Sequence, residues 1–214
     1  MKLKDNITPE LNRIKSELTK LNGMKIRIGI QGNTDSDILM IARVHEYGAV
    51  IHAKKKYLAI PIHKSSYDKS PRDFKDLFFI RSENGFLFGV TAKKNRKNLN
   101  NPNNLNFLFL FLPSVTIPER SFIRAGYDNN VNRLAQVMGQ ELTKVLNGEK
   151  TAEEAAGFIG GKAVDFIREY IEDSSNFVPK GKIQRDRAPS SADNPLVVTG
   201  RLRNSITFQV ESDE

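Results

Sequence analysis

The chain has 214 residues, no cysteine and a formal net charge of +8 at pH 7. This length suits a single domain, residues 1–214, and the lack of cysteine excludes disulfide bonds, thiolate metal sites and cysteine nucleophiles. The longest apolar stretch, residues 105–112, is far shorter than the roughly 20 residues that span a bilayer, so we expect a soluble protein without membrane contact.

The first part of the sequence predicts a helix, a strand and a second, shorter helix. Thr8-Pro9 begins the first helix and Asn22-Gly23 ends it. Residues 24–30 alternate apolar and polar side chains, as in a half-buried strand. The second helix ends at Gly48, a residue type that tolerates the left-handed conformation. The apolar stripe of the first helix is Leu11, Ile14, Leu18 and Leu21, and the inward residues of the second are Ile38, Ile41, Ala42 and Tyr47.

His45 and Glu46 are the first place where the sequence could indicate an enzyme. A zinc-protease helix needs a second histidine four residues after the first, and Ala49 occupies that position. We therefore interpret His45 and Glu46 as a helix terminus, where an imidazole hydrogen-bonds carbonyls of the last turn. The three histidines lack a spaced metal partner, and no serine lies in a nucleophile-elbow pattern. The sequence thus predicts no catalytic, cofactor-binding or metal-binding residue.

Short strands and tight turns follow, and they predict an antiparallel meander. Residues 50–53 and 58–62 are two strands around a basic tip, Lys54–Lys56, which together predict a hairpin. Pro61, in the second of them, cannot donate to a strand ladder and favours an edge position. Residues 77–81 and 86–91 flank a Glu-Asn-Gly sequence, which is a strong hairpin turn.

A polar loop, an apolar strand and a proline come next. Residues 92–104 are rich in asparagine and lysine, so we expect a flexible loop. Residues 105–112 are apolar on both parities, which predicts a strand covered on both faces. Pro118 cannot extend a ladder and suits the first turn of a helix. An apolar stripe then predicts a helix over about 130–146.

Another helix is predicted after Thr151, which can form a capping box with Glu154. Three glycines, Gly157, Gly160 and Gly161, lie in or beside this helix, although each interior glycine costs about 1 kcal/mol relative to alanine. We expect a neighbouring helix or strand to approach closely there. A ligand phosphate is the weaker alternative, because the glycines do not form a strand-to-helix loop.

The C-terminal part predicts an arm that leads into a final strand. Residues 176–195 contain three prolines and few apolar side chains, so they form an extended arm. Thr199 caps a short helical turn, and residues 206–210 alternate as a strand. The predicted fold class is α+β: a mainly antiparallel sheet packed with an N-terminal helix and two central-to-C-terminal helices, closed by a C-terminal strand.

Five segments occur in the order ARVHEYGAVI, YLAIPI, SPRDFKDLFFI, SVTIPERSFIRAGY and NPLVVTGRLRNSITFQV. Together they resemble the tailed-bacteriophage virion-morphogenesis proteins of the tail-completion and head-tail joining group, which includes the Mu-like and HK97-like neck proteins. The resemblance extends over roughly residues 24 to 210. The loop at 92–104 and the arm depart from the pattern, so subunit contacts in those segments are not carried over.

The resemblance implies a non-catalytic structural subunit without cofactors. It implies a closed homo-oligomeric ring, a hexamer being favoured, at the head-tail junction or neck of the virion. Such a ring joins the phage connector or adaptor to the tail tube or tail terminator and lines the DNA passage. The subunit would be made and assembled in the host bacterial cytoplasm.

Arginines near two of these segments are candidates for charge-paired subunit contacts, because a guanidinium forms bidentate pairs at interfaces. The interface candidates are Arg120, Phe122, Arg124, Arg201 and Arg203. An alternative function is sequence-independent DNA binding by basic loops, with an affinity that falls linearly as salt rises on logarithmic scales. The candidate DNA-facing residues are Lys93, Lys94, Arg96, Lys97, Lys180, Lys182, Arg185 and Arg187.

Overall fold

The computed structural model describes residues 7–32, 34–94, 98–181, 185–186, 194–197 and 199–212. The predicted α+β class is confirmed, since the chain consists of helices and antiparallel strand pairs. The helices are α1 (Ile7–Asn22), α2 (Ser36–Tyr47), α3 (Arg124–Leu146), α4 (Ala152–Glu172) and the single turn α5 (Arg201–Asn204). The strands are β1 (Met24–Ile30), β2 (Ala49–His52), β3 (Leu58–Pro61), β4 (Phe78–Arg81), β5 (Leu87–Ala92), β6 (Leu105–Leu112), β7 (Ser114–Ile117) and β8 (Ile206–Ser212).

The chain divides into two compact units, whereas its length predicts a single domain. Unit 1 comprises residues 1–47, 119–180 and 190–214, and unit 2 comprises residues 48–118 and 181–189. Most of unit 2 is thus a continuous segment of sequence between two parts of unit 1. The boundary at residue 118 falls on Pro118, where β7 has ended.

Unit 1 contains the four long helices and the antiparallel pair β1–β8. Ile30 pairs with Ile206 and Met24 with Ser212, so the C-terminal strand lies along the first strand for its full length. The final strand predicted from the alternating sequence is confirmed. The main core of unit 1 collects buried side chains from α2, α4, α5 and the segment before α3, with Phe122, Ile167, Ile171 and Ile206 at its centre.

Unit 2 is built around β6, the strand predicted to be covered on both faces. The four-stranded sheet has the order β3-β6-β5-β4, and β2 pairs separately with β7. Leu105, Leu108 and Phe109 of β6 are buried, so apolar residues of both parities lie in the core. The β4–β5 hairpin and the edge position of Pro61 are confirmed.

The predicted hairpin between β2 and β3 is wrong. β3 pairs with β6 and β2 pairs with β7, and Ala53 N donates to Pro113 O at 2.9 Å between these two pairs. The basic segment Lys54–Lys56 contains no glycine or asparagine, the residues that tight hairpin turns require. The two strands instead pair side by side with the continuous β6–β7 segment.

Several apolar residues predicted to face inward are exposed instead. α1 has no buried residue, and Leu11 of its apolar stripe is 59% exposed. In α2, Ile38 and Ala42 are buried as expected, whereas Ile41 and Tyr47 are exposed. The prediction of a helical turn at Pro118 is also wrong, because α3 begins at Arg124. Arg120 therefore does not share a helix face with Arg124.

Close packing of a strand on the glycines of α4 is confirmed at one of the three. A Cβ added to Gly160 would lie 2.6 Å from Cε2 and 2.8 Å from Cγ of Phe208, on β8. A Cβ added to Gly161 would lie at ordinary van der Waals distance from the same ring, and one added to Gly157 would have no neighbour within 4 Å. Gly160 is thus the position that lets the C-terminal strand lie against α4.

We predict that Gly160→Ala destabilises the protein, although alanine is the better helix former, because the methyl group overlaps the Phe208 ring. Gly157→Ala in the same helix is the matched control and should raise the free energy of unfolding by up to about 1 kcal/mol. Urea unfolding measures both. A second change, Phe208→Leu, should recover part of the loss in Gly160→Ala; a gain in stability from Gly160→Ala alone would contradict this packing.

Candidate functional site

Glu46 lies in the last turn of α2 and is the buried acidic group nearest the start of α3. Its side chain is only 6% exposed. Its carboxylate points at residues 121–124, the segment that leads into α3. Two of the five sequence segments that carry the phage resemblance, ARVHEYG and PERSFIRAGY, therefore meet at this carboxylate.

Both carboxylate oxygens of Glu46 are fully used in hydrogen bonding. Oε2 accepts from the backbone N–H groups of Phe122 at 2.8 Å and Ile123 at 3.0 Å. Oε1 accepts from Ser121 Oγ at 2.8 Å, from Arg124 N at 3.1 Å and from Arg124 Nε at 3.0 Å. The first N–H groups of a helix have no partner inside it, and the N-cap residue here, Ile123, has no side-chain acceptor. Glu46 supplies the missing cap from another helix.

The end of α2 is capped in return by the segment that Glu46 binds. Arg120 N donates to His45 O at 2.7 Å, and Arg124 Nη2 donates to Glu46 O at 2.8 Å. The Arg124 guanidinium also pairs with Glu119 at 2.7 Å and lies 4.7 Å from the Tyr47 ring centroid. An anion at the start of one helix and a cation at the end of another both complement the helix dipoles. The two helix ends therefore stabilise each other.

These contacts set the ionisation of the two residues at the end of α2. Burial disfavours the charged form of Glu46, but hydrogen bonds from Ile123, Arg124, Ser121 and Phe122 outweigh it and hold the pKa below its ordinary value. Burial, together with the positive charge of Arg120, lowers the pKa of His45. At neutral pH the junction thus contains a carboxylate and a neutral imidazole. Because every oxygen lone pair of Glu46 faces a donor, this carboxylate has no free acceptor for a proton-transfer role.

A small cleft opens next to this junction on unit 1. It has a volume of about 170 Å³ and is lined by residues of α2 and of the segment around α5, including Ile38, His45, Leu196 and Arg201. Arg201 is exposed and pairs with Asp35 at 2.9 Å. Residues of NPLVVTGRLRNS, a third of the five segments that carry the resemblance, thus lie beside ARVHEYG at this cleft.

The five predicted interface residues do not share one environment. Phe122 is fully buried and Arg120 is 6% exposed, with Nε donating to Val178 O at 3.0 Å, so both belong to the subunit interior. Arg124 is half exposed but serves the helix junction, so we expect Arg124→Ala to weaken the subunit. Arg201 and Arg203 lie nearer the surface, paired with Asp35 and Glu172.

The predicted DNA-facing residues are only partly described. Lys93, Lys94 and Arg185 are exposed, and Lys93 Nζ donates to Asn103 O at 2.8 Å. Lys180 is buried, at 4% exposure, so it does not form part of a basic surface and that assignment is corrected. Arg96, Lys97, Lys182 and Arg187 lie outside the described residues, as does half of the predicted arm.

Glu46 is the residue that reasoning from the sequence missed. Its helix was predicted correctly, but a glutamate in a last turn is usually solvated and carries no local mark of burial. The available signal was an absence: in the sequence SFIRAG the hydroxyl residue Ser121 lies two residues before the true N-cap, Ile123, and the N-cap itself is neither acidic nor a hydroxyl residue. A helix start without a local cap indicates that its cap comes from elsewhere.

No known family model, curated protein sequence or solved structure matches the chain. Among the described residues, no helix is long and apolar enough to cross a membrane. The same residues contain no cluster of three or more histidine, aspartate or glutamate side chains placed to hold a metal ion.

We predict that Glu46→Gln lowers the free energy of unfolding by about 2–4 kcal/mol, because the neutral amide replaces one acceptor oxygen with a donor among the N–H groups. Glu119→Gln is the matched control. It removes the exposed partner of Arg124 and should cost less than about 1 kcal/mol. Urea unfolding of both variants measures the difference, and equal losses would contradict the capping role of Glu46.

The same carboxylate predicts a loss of stability in acid. The pKa of Glu46 is lowered in the folded protein, so its contribution is complete above the unfolded-state pKa of about 4.5 and is lost as pH falls through the folded pKa. Other carboxyls with a lowered pKa contribute as well: Glu10, Glu17, Glu141, Glu153 and Asp173. The stability difference between wild type and Glu46→Gln isolates Glu46. It should be constant near neutral pH and shrink below pH 4.5 in urea titrations.

Proposed function

We propose that the protein is a structural subunit of the head-tail junction of a tailed bacteriophage, a tail-completion protein that forms a closed homo-oligomeric ring. The observation that carries this proposal is the meeting of three resemblance segments in unit 1. Glu46 of ARVHEYG binds the backbone of PERSFIRAGY, and Leu202 and Ile206 of the C-terminal segment share a core with Phe122. Segments that are far apart in sequence thus form one framework in unit 1.

The chemistry of the junction supports a structural role. The two carboxylate oxygens of Glu46 accept five hydrogen bonds that join α2 to the start of α3. Glu46 therefore positions the protein's own chain and not a substrate. Arg201 is exposed and lines the neighbouring cleft, so the surface of unit 1 here is both charged and concave. Such features suit contact with another protein of the virion.

Within the proposed ring, the partners are further copies of this chain, the connector or adaptor above and the tail tube or tail terminator below. A hexamer is the size that the resemblance favours. The net charge of +8 would allow the ring to contact passing DNA without reading its sequence, since neutralising phosphates requires only cations. The protein would then be a component of the virion neck, assembled in the host bacterial cytoplasm.

Electron microscopy of phage particles carrying a tagged copy of the protein tests this proposal. The tag should lie at the head-tail junction, and mass measurement of the purified protein should give a multiple of the 24.2 kDa subunit. Phage connector protein serves as a positive control for labelling at that position. A protein that is absent from purified virions would contradict the proposal.

A further inference from the structure

The chain leaves unit 1 after α2 and returns to it before α3. Hydrogen bonds within unit 1 hold the point of exit and the point of return together. Arg120 N donates to His45 O at 2.7 Å, and residues 121–124 donate to the carboxylate of Glu46. We call this set of contacts the exit joint: residues 45–47 and 119–124.

The imidazole of His45 belongs to this joint and has one nitrogen without a partner. Its Nδ1 is buried and has no hydrogen-bond partner among the described residues. A neutral imidazole carries a proton on one ring nitrogen only, whereas a protonated imidazole carries an N–H on both. A buried N–H without an acceptor costs free energy. The closed joint therefore suits the neutral ring and not the charged one.

The carboxylates on the chain segments around His45 do not offer an acceptor to a second N–H on the ring. Each of them already has a partner, and none of them bonds Nδ1. These pairs are Glu46 with residues 121–124, Asp35 with Arg201 at 2.9 Å and Glu119 with Arg124 at 2.7 Å. A proton on Nδ1 would thus remain without a counter-charge in direct contact.

The charge that acts on the His45 ring is positive. Arg120 is 6% exposed, and its Nε donates to Val178 O at 3.0 Å, which fixes the guanidinium inside unit 1. Burial, together with this charge, lowers the pKa of His45. A second cation beside Arg120 would be repelled where little water is present to screen it. The other cations on the surrounding elements are Arg124, Lys180, Arg201 and Arg203.

We propose that the exit joint is an acid-sensitive device: when a proton binds His45, the last turn of α2 separates from residues 119–124 while the rest of unit 1 stays folded. His45 also lines the 170 Å³ cleft together with Ile38, Leu196 and Arg201, so this cleft changes shape in the same step. The device needs a single subunit. It goes beyond the proposed structural role and does not depend on the ring.

The pH range of the opening follows from the direction of the shift. In the open joint, as in the unfolded chain, the His45 ring is solvated and has its ordinary pKa of about 6.5, whereas the closed joint lowers this pKa. The closed state is therefore fully favoured above about pH 6.5 and is weakened as pH falls through the pKa of the closed joint. The pKa of Glu46 is lowered from 4.5, so its titration lies at lower pH than the ordinary histidine range.

Hydrogen exchange followed by NMR at about pH 7.5 and about pH 5.5, on either side of the ordinary histidine pKa, tests this proposal. The reporters are the amides that donate across the joint, those of Arg120 and of residues 122–124. Amides in the middle of α4 are the reference, because that helix lies in the core of unit 1. His45→Gln keeps a neutral polar side chain at every pH, and His52→Gln is the matched control at an exposed histidine.

In the wild type, the protection of the reporter amides relative to α4 should fall on acidification. The fall should reach about tenfold for each pKa unit by which the closed joint lowers the pKa of His45. It should follow the NMR titration of the His45 Cε1–H, which locates the pH at which the ring binds its proton. His45→Gln should show no such fall, and His52→Gln should behave like the wild type.

The contrary outcomes are distinct. Reporter amides with the same protection at both pH values would overturn the proposal, as would a fall that persists in His45→Gln. An equal fall throughout α4 would show that the proton destabilises the whole of unit 1, and it would overturn a local device. If His45→Gln does not fold, the wild type decides, because a fall that does not follow the His45 titration contradicts the proposal. All of these results leave the head-tail function to be decided by microscopy of the virion.

Discussion

The start of α3 depends on a carboxylate that the helix does not contain. Ile123 at the N-cap cannot accept a hydrogen bond through its side chain, and Glu46 of α2 accepts from three consecutive backbone N–H groups in its place. Once this bond set forms, Phe122 is directed into the core and Arg124 reaches the end of α2. A buried carboxylate without donors is costly, so this set of hydrogen bonds stabilises the observed arrangement of its neighbours.

The other end of the α3–α4 helix pair follows the same principle. Arg13 caps the last carbonyls of α3 and Glu17 the first N–H of α4, both from α1. With the polar residues of α1 used for these caps, Leu11 and Leu18 remain exposed. The orientation of α1 is thus set by hydrogen bonding at helix ends and not by full burial of its apolar stripe.

Local chemistry in the sequence predicted much of this fold. Proline, glycine and hydroxyl residues at helix ends located α1, α2 and α4, and alternation located β1 and β8, because caps and side-chain periods act within a few residues. The capping box of Thr151 and Glu154 is present as predicted. The hairpin prediction was wrong because local patterns do not identify distant partners: β2 and β3 pair with β7 and β6, which lie far along the chain.

The sequence by itself determined most of the elements, the α+β class and a close approach to α4 at one of its glycines, Gly160. Tertiary structure alone decided which side of each helix is covered and which charges are buried. A stripe of leucines shows that a helix has an apolar face but not whether that face meets its own core or another chain. Likewise, nothing near Glu46 in sequence distinguishes it from a solvated glutamate, because its donors lie about 76 residues further along the chain and reach it only when the fold closes.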